Sequence, residues 1–111
     1  MNNELLLEII RMAMKQEKSE TITAPVSPYV IGKNYHVRTV TMAIAGKLKA
    51  VYPQELVFEN ANWVADSGRF NEYLKDTKNV KENEPFKNDV IIGRGAIVDC
   101  TEISEVFSGV K

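Results

Sequence analysis

Three of the four arginines in this 111-residue chain, Arg38, Arg69 and Arg94, fall in its β-patterned part, interleaved with Trp63, Phe70 and Tyr73. A guanidinium fork grips phosphate through two parallel hydrogen bonds, and an aromatic face stacks a base with about 1–3 kcal/mol. Together these are the parts of a nucleotide site. The stretch WVADSGRFNEYL, residues 63 to 74, carries most of them. Asp66, Ser67 and Gly68 lead into a short helix, and Ser67 or Asp66 is expected to cap it. A helix start presents free N–H groups and positive partial charge to an anion. Arg69 on the first turn would reach the same phosphate, and Trp63 or Phe70 would stack a base beside it. The expected ligand-binding set is therefore Arg38, Trp63, Asp66, Ser67, Gly68, Arg69, Phe70, Tyr73 and Arg94. Taken singly, these residues have plainer roles: core packing for Trp63 and Phe70, and a cross-strand ion pair with Glu55 or Glu59 for Arg38.

Catalytic chemistry is harder to assemble. His36, the only histidine, alternates with core positions on a strand, and no serine or cysteine stands at a motif spacing from it. Cys100, the only cysteine, lies in the half-buried pattern AIVDCTEI, where a thiol behaves as a small hydrophobe. Acidic residues cluster only in a loop, without a D-x-D run, so no metal site is expected and no cofactor is implied. IGRGAI contains G-x-G inside a strand, with no phosphate-loop continuation. Its two glycines instead leave Arg94 uncrowded. The chain reads as a binder that leaves its ligand chemically unchanged.

The elements that would position this site follow from periodicity. Lys plus Arg number 14 against 15 Asp plus Glu, a formal charge of −1, so the basic surplus that holds long nucleic acid is missing. One cysteine forbids an internal disulfide and fits a reduced cytoplasm. LLLEII is interrupted by Glu8 and falls well short of the roughly 20 residues that span a bilayer, so no membrane association is expected. Residues 4–18 space Leu6, Ile9, Ile10 and Ala13 as an amphipathic helix, widened by Leu5, Met12 and Met14. So broad a stripe predicts an N-terminal oligomerisation helix over residues 1–18. Residues 19–34 read as a linker with an edge strand, and residues 35–111 as a small β domain. Within it, YHVRTVTMAIAGKL alternates as one strand to a turn or bulge at Gly46. A hairpin turns at Pro53-Gln54, with Leu56 and Phe58 on one face and Val57 on the other. GRFNEYLKD forms the inserted helix, residues 75–89 form a solvated loop, and the last two strands run together through a bulge at Gly93 and Gly95. The fold class is mainly β with α: a small antiparallel barrel-like sheet with an N-terminal amphipathic helix and one short inserted helix.

The recurring elements R-T-V-T, E-L-V-x-E-x-A-x-W-x-A-D-x-G-R-F and E-P-F, spread over residues 35 to 99, resemble a family of small phage and prophage proteins. The overall pattern, a helix ahead of a small β body, is also similar to the phage anti-Thoeris and anti-CBASS sponges. That resemblance implies a homo-oligomer, a dimer to hexamer, in the host bacterial cytoplasm. Its expected ligand is a cyclic nucleotide or cyclic ADP-ribose-type immune signal, sequestered without cleavage. It transfers no ligand residue to this chain. A phage structural or adaptor protein with no small-molecule ligand is the competing expectation.

Overall fold

The computed structural model describes residues 27–111. The expected helix over residues 4–18 lies outside them. Six antiparallel strands make one sheet: β1 (Asn34–Thr39), β2 (Ala43–Val51), β3 (Glu55–Asp66), β4 (Glu82–Pro85), β5 (Val90–Gly93) and β6 (Ile97–Ile103). Among the described residues a single short α-helix, α1 (Phe70–Lys75), follows β3. The strand order is β4-β3-β2-β1-β6, with β5 paired to the first half of β3. Among the described residues no ladder joins β6 back to β4 or β5, so the sheet stays open and the barrel-like expectation is corrected. No helix among the described residues is long and apolar enough to cross a membrane.

Period-two alternation gives the sheet two buried faces. On one, Tyr35, Val37, Ile44, Leu48, Leu56, Phe58, Ala61 and Ile92 form the larger core. On the other, Ala45, Val64 and Ile103 pack with Tyr73 of α1 and with Val80, while Val106 and Phe107 of the C-terminal tail close over them. Small residues decide where the helix can sit. Ala43 and Ala45 on β2 carry little bulk, so Tyr73 can lie close above the sheet and reach His36 on the neighbouring strand.

Four readings of local structure change. YHVRTVTMAIAGKL is two strands, because the chain reverses at Thr39, whose N–H donates to the Met42 carbonyl at 2.8 Å. The Thr39 hydroxyl accepts from the Met42 N–H at 3.1 Å and donates to the Met42 carbonyl at 2.9 Å. Threonine closes this turn by side-chain bonding, which needs neither glycine nor proline. The polar segment after α1 is not all loop. A 3-10 turn at Thr77–Asn79 leads into β4, which pairs with the second half of β3. Finally, β5 and β6 are separated by a 3-10 turn at Arg94–Ala96 and pair with β3 and β1 respectively. No strand occupies residues 27–33; β1 begins at Asn34.

The strand β3 bends so that its two halves can pair with different partners. Ala45 opposes Asn62 while Lys47 opposes Glu59, which leaves an extra residue on β3. Asn60 there takes φ +50°, a left-handed conformation that asparagine tolerates. Gly46 stands across from this bulge. A Cβ on Gly46 would come within 3.1 Å of the Phe58 Cβ and 3.2 Å of the Ala61 Cβ. The close approach of β2 to the bulge therefore favours glycine at that position.

Candidate functional site

The predicted site residues separate onto different parts of the molecule. On the helix-covered face, Arg38 of β1 stands directly opposite Asp99 of β6. Arg38 Nε donates to Asp99 Oδ1 at 2.8 Å, and its Nη2 donates to Oδ2. The hydrogen bonds and charge of this pair raise the guanidinium pKa and hold the carboxyl below its usual range. Asp99, not Glu55 or Glu59, is therefore the arginine's partner, and the fork expected to hold phosphate is already filled. Above it the Phe70 ring lies 5.5 Å from the guanidinium carbon.

His36 and Tyr73 lie beneath. Tyr73 is fully buried and His36 is 2% exposed. His36 Nδ1 and the Tyr73 hydroxyl share a hydrogen bond of 2.9 Å, with the rings edge to face and their centroids 5.0 Å apart. Burial lowers the His36 pKa to about 4; the charge of Asp99 opposes this with a smaller raising influence, and Arg38 adds a smaller lowering one. Burial also pushes the Tyr73 hydroxyl up. At neutral pH both groups are uncharged, and this quartet is a packed polar seam between α1 and the sheet.

The turn before α1 also differs from expectation. Asp66 Oδ1 accepts from the Gly68 N–H at 2.8 Å, and the Ser67 hydroxyl donates to the Gly68 carbonyl. Arg69 occupies the cap position of α1, and no side chain caps the helix. Asp66 and Ser67 thus fold the turn and do not cap the helix. Six residues make less than two turns, so the summed dipole is small. Gly68 has φ +70°, and Lys81 passes so close that a Cβ at Gly68 would meet its Cγ at 2.8 Å. Arg69 and Lys81 line a cleft of about 460 Å³ together with Glu72 and Asn79.

Trp63 pairs across β2 with Ile44 and so projects from the opposite face to Arg38 and Phe70. It is 40% exposed and lines an apolar groove of about 310 Å³ with Met42, Pro85 and Phe86. Strand alternation forbids Trp63 and Phe70 from sandwiching one ligand. Arg94 is elsewhere again, in a cavity at the turn between β5 and β6. The nine residues do not form one pocket.

A different part of the molecule has the dimensions of a ligand site. Between the C-terminal tail and the helix-covered face lies a cleft of about 510 Å³, within the range of small-molecule sites. Its lining includes Asn34, Lys47, Asn60, Asn62, Phe86 and Phe107. The tail forms its roof and is firmly held. Asn62 Nδ2 donates to the Phe107 carbonyl at 3.3 Å, and Asn83 Nδ2 donates both to Asn62 Oδ1 at 3.0 Å and to the Gly109 carbonyl at 2.7 Å. The backbones of Asn83 and Lys111 exchange two hydrogen bonds, at 3.1 and 3.3 Å, so the tail extends the sheet beyond β4. Lys47 makes no ion pair among the described residues. Asparagine is disfavoured in strands, and Asn60 and Asn62 in ENANW were the available sign of this cleft.

No family model, curated protein or solved structure matches this chain, so the functional reading rests on the residues and their geometry.

Proposed function

We propose that the chain is a non-catalytic binding protein that holds a small nucleotide-type ligand in the cleft beneath its C-terminal tail. The observation that carries this reading is the cleft's lining. It combines Lys47, a cation without an ion-pair partner among the described residues, with the carboxamides of Asn34 and Asn60 and two phenyl rings in one space of about 510 Å³. Carboxamides read the edge of a base, phenyl faces stack it, and an ammonium group meets phosphate. A single lysine favours a ligand of low charge, such as a cyclic ADP-ribose-type or cyclic dinucleotide signal. The phage-sponge resemblance agrees with retention over turnover, and the physiological outcome would be sequestration of a host immune signal in the bacterial cytoplasm.

Calorimetric titration of the protein with cyclic dinucleotides and cyclic ADP-ribose tests the reading, with chromatography of the ligand recovered after heat denaturation. Saturable binding and release of intact ligand are expected. Hydrogen bonds to charged groups contribute about 1.5–3 kcal/mol, so Lys47→Ala should weaken binding roughly ten- to a hundred-fold. Recovery of an altered product would make the protein an enzyme. A second reading, an assembly or adaptor protein, draws on the exposed groove of Trp63, Met42 and Phe86. Absence of binding by every nucleotide tested would favour it and overturn the first.

A further inference from the structure

We infer that the cavity at the β5–β6 turn is a second binding site, separate from the cleft under the tail, for a small monoanionic carboxylate. Its walls include Tyr29, Tyr35, Arg94, Ile97, Asp99 and Cys100, and its volume is about 280 Å³. That is too small for a nucleotide and suits an acid of a few carbons or one ring.

The cavity is built from fixed parts. The Tyr35 hydroxyl accepts from the Val30 N–H at 3.0 Å, anchoring the segment that carries Tyr29. Gly32, at φ +93°, donates to the Leu48 carbonyl at 2.8 Å and turns that segment into β1. On the other wall the Arg94 N–H donates to the Gln54 carbonyl at 2.9 Å, tying the β5–β6 turn to the β2–β3 turn. Gly93 and Gly95 on either side of Arg94 have open space where a Cβ would stand.

Arg94 is the reason to expect an anion. Its guanidinium carbon lies 5.3 Å from the Tyr29 ring centroid, a cation–π arrangement that leaves the in-plane N–H groups free to donate. Nε is buried and has no hydrogen-bond partner among the described residues. Burying an unpaired donor is costly, and a ligand that supplies the acceptor recovers that cost. The Asp99 carboxylate, next to Cys100 in β6, is turned to the helix-covered face and committed there to Arg38. Among the described residues Arg94 is therefore the one charged side chain of the cavity, and a single negative charge on the ligand matches it. A planar carboxylate matches the guanidinium fork, while Tyr29, Tyr35 and Ile97 accept an apolar body.

Benzoate, acetate and inorganic phosphate titrated into the full-length protein test this by calorimetry. Benzoate is expected to bind saturably with a dissociation constant on the order of 1 mM, more tightly than acetate or phosphate. Arg94→Gln should weaken benzoate at least about tenfold, and Arg94→Lys should fall between, because an ammonium group lacks the fork. Lys47→Ala should leave benzoate binding unchanged, so this site and the nucleotide cleft succeed or fail separately. An independent readout uses Cys100 in the unsubstituted protein. Benzoate should slow carbamidomethylation of this single thiol by iodoacetamide, counted by mass spectrometry. The inference is overturned by the absence of saturation, by phosphate binding more tightly than benzoate, by equal affinity in Arg94→Gln, or by an unprotected Cys100.

Discussion

At the residue scale, His36 carries the clearest consequence. An imidazole buried as a neutral group beside Tyr73 has its pKa lowered from 6.5 to about 4. In the unfolded chain it regains a proton near 6.5, whereas the folded protein resists protonation until pH approaches 4. Stability attributable to His36 is thus fully present above pH 7 and declines as pH falls through this window. By pH 5, where most carboxylates remain ionised, the loss should reach about 2 kcal/mol. Urea melts at pH 7.5 and 5.0 measure it. His36→Asn should be less stable at pH 7.5, having lost the ring packing, and should show little further loss between the two pH values. A pH-independent wild type would mean that solvent reaches the imidazole. Cys100, half-buried with its thiol pushed up to about 11, should react only slowly with alkylating agents even without ligand.

Among the elements, β3 and the tail decide most of the architecture. Gly46 faces the Asn60 bulge at distances where a methyl group would press on Phe58 and Ala61 of β3. Gly46→Ala should therefore cost roughly 1–3 kcal/mol, read as a shift in the denaturant midpoint at unchanged slope. Asn83→Ala removes both donors to Asn62 and Gly109 and leaves a buried acceptor unpaired, a loss of about 1–3 kcal/mol. Limited proteolysis should then cut within residues 104–111 before the rest of the domain. Much of this scale is legible in the sequence. The Pro53-Gln54 hairpin and the inward Leu56 and Phe58 follow from alternation and turn chemistry, and so does a short helix carrying Tyr73. What escaped were features that leave no periodic trace. The Thr39 turn has strand-forming residues on both sides, and four-residue β4 is hidden by the charges of KENEP. The dispersal of the arginines was equally invisible, because residue spacing along one strand fixes a face but not which side chains from separate strands converge. The roof of the main cleft is built by a tail whose composition announces no structure.

For the whole molecule, the open sheet raises the question of how its edges are kept from pairing with other chains. Lys111 covers part of the β4 edge, and the Lys33–Glu102 ion pair at 3.3 Å places charge along β1 and β6. Ile91 of β5 and Val98 of β6 remain largely exposed. The broad apolar stripe over residues 4–18, outside the described structure, is the segment expected to hold subunits together. Removing residues 1–18 should lower the mass measured by light scattering, and an unchanged mass would assign assembly to the β domain. The sole tryptophan offers a parallel reading. Trp63 is partly exposed in its groove, so a blue shift of its emission with rising protein concentration would place that groove in a subunit contact.

The bend at Asn60 has one more consequence. A single unbroken strand, β3, belongs to two ladders at once: Glu55–Phe58 zips to β5, and Asn62–Asp66 zips to β4. Neither ladder can come apart fully without disturbing the strand that the other requires. The two apolar clusters, though on opposite faces, should therefore lose protection against amide hydrogen exchange together. Deuterium uptake at Leu56 and Phe58 should share one opening free energy with uptake at Val64. Two separate opening energies would show that the left-handed residue works as a hinge between independent halves.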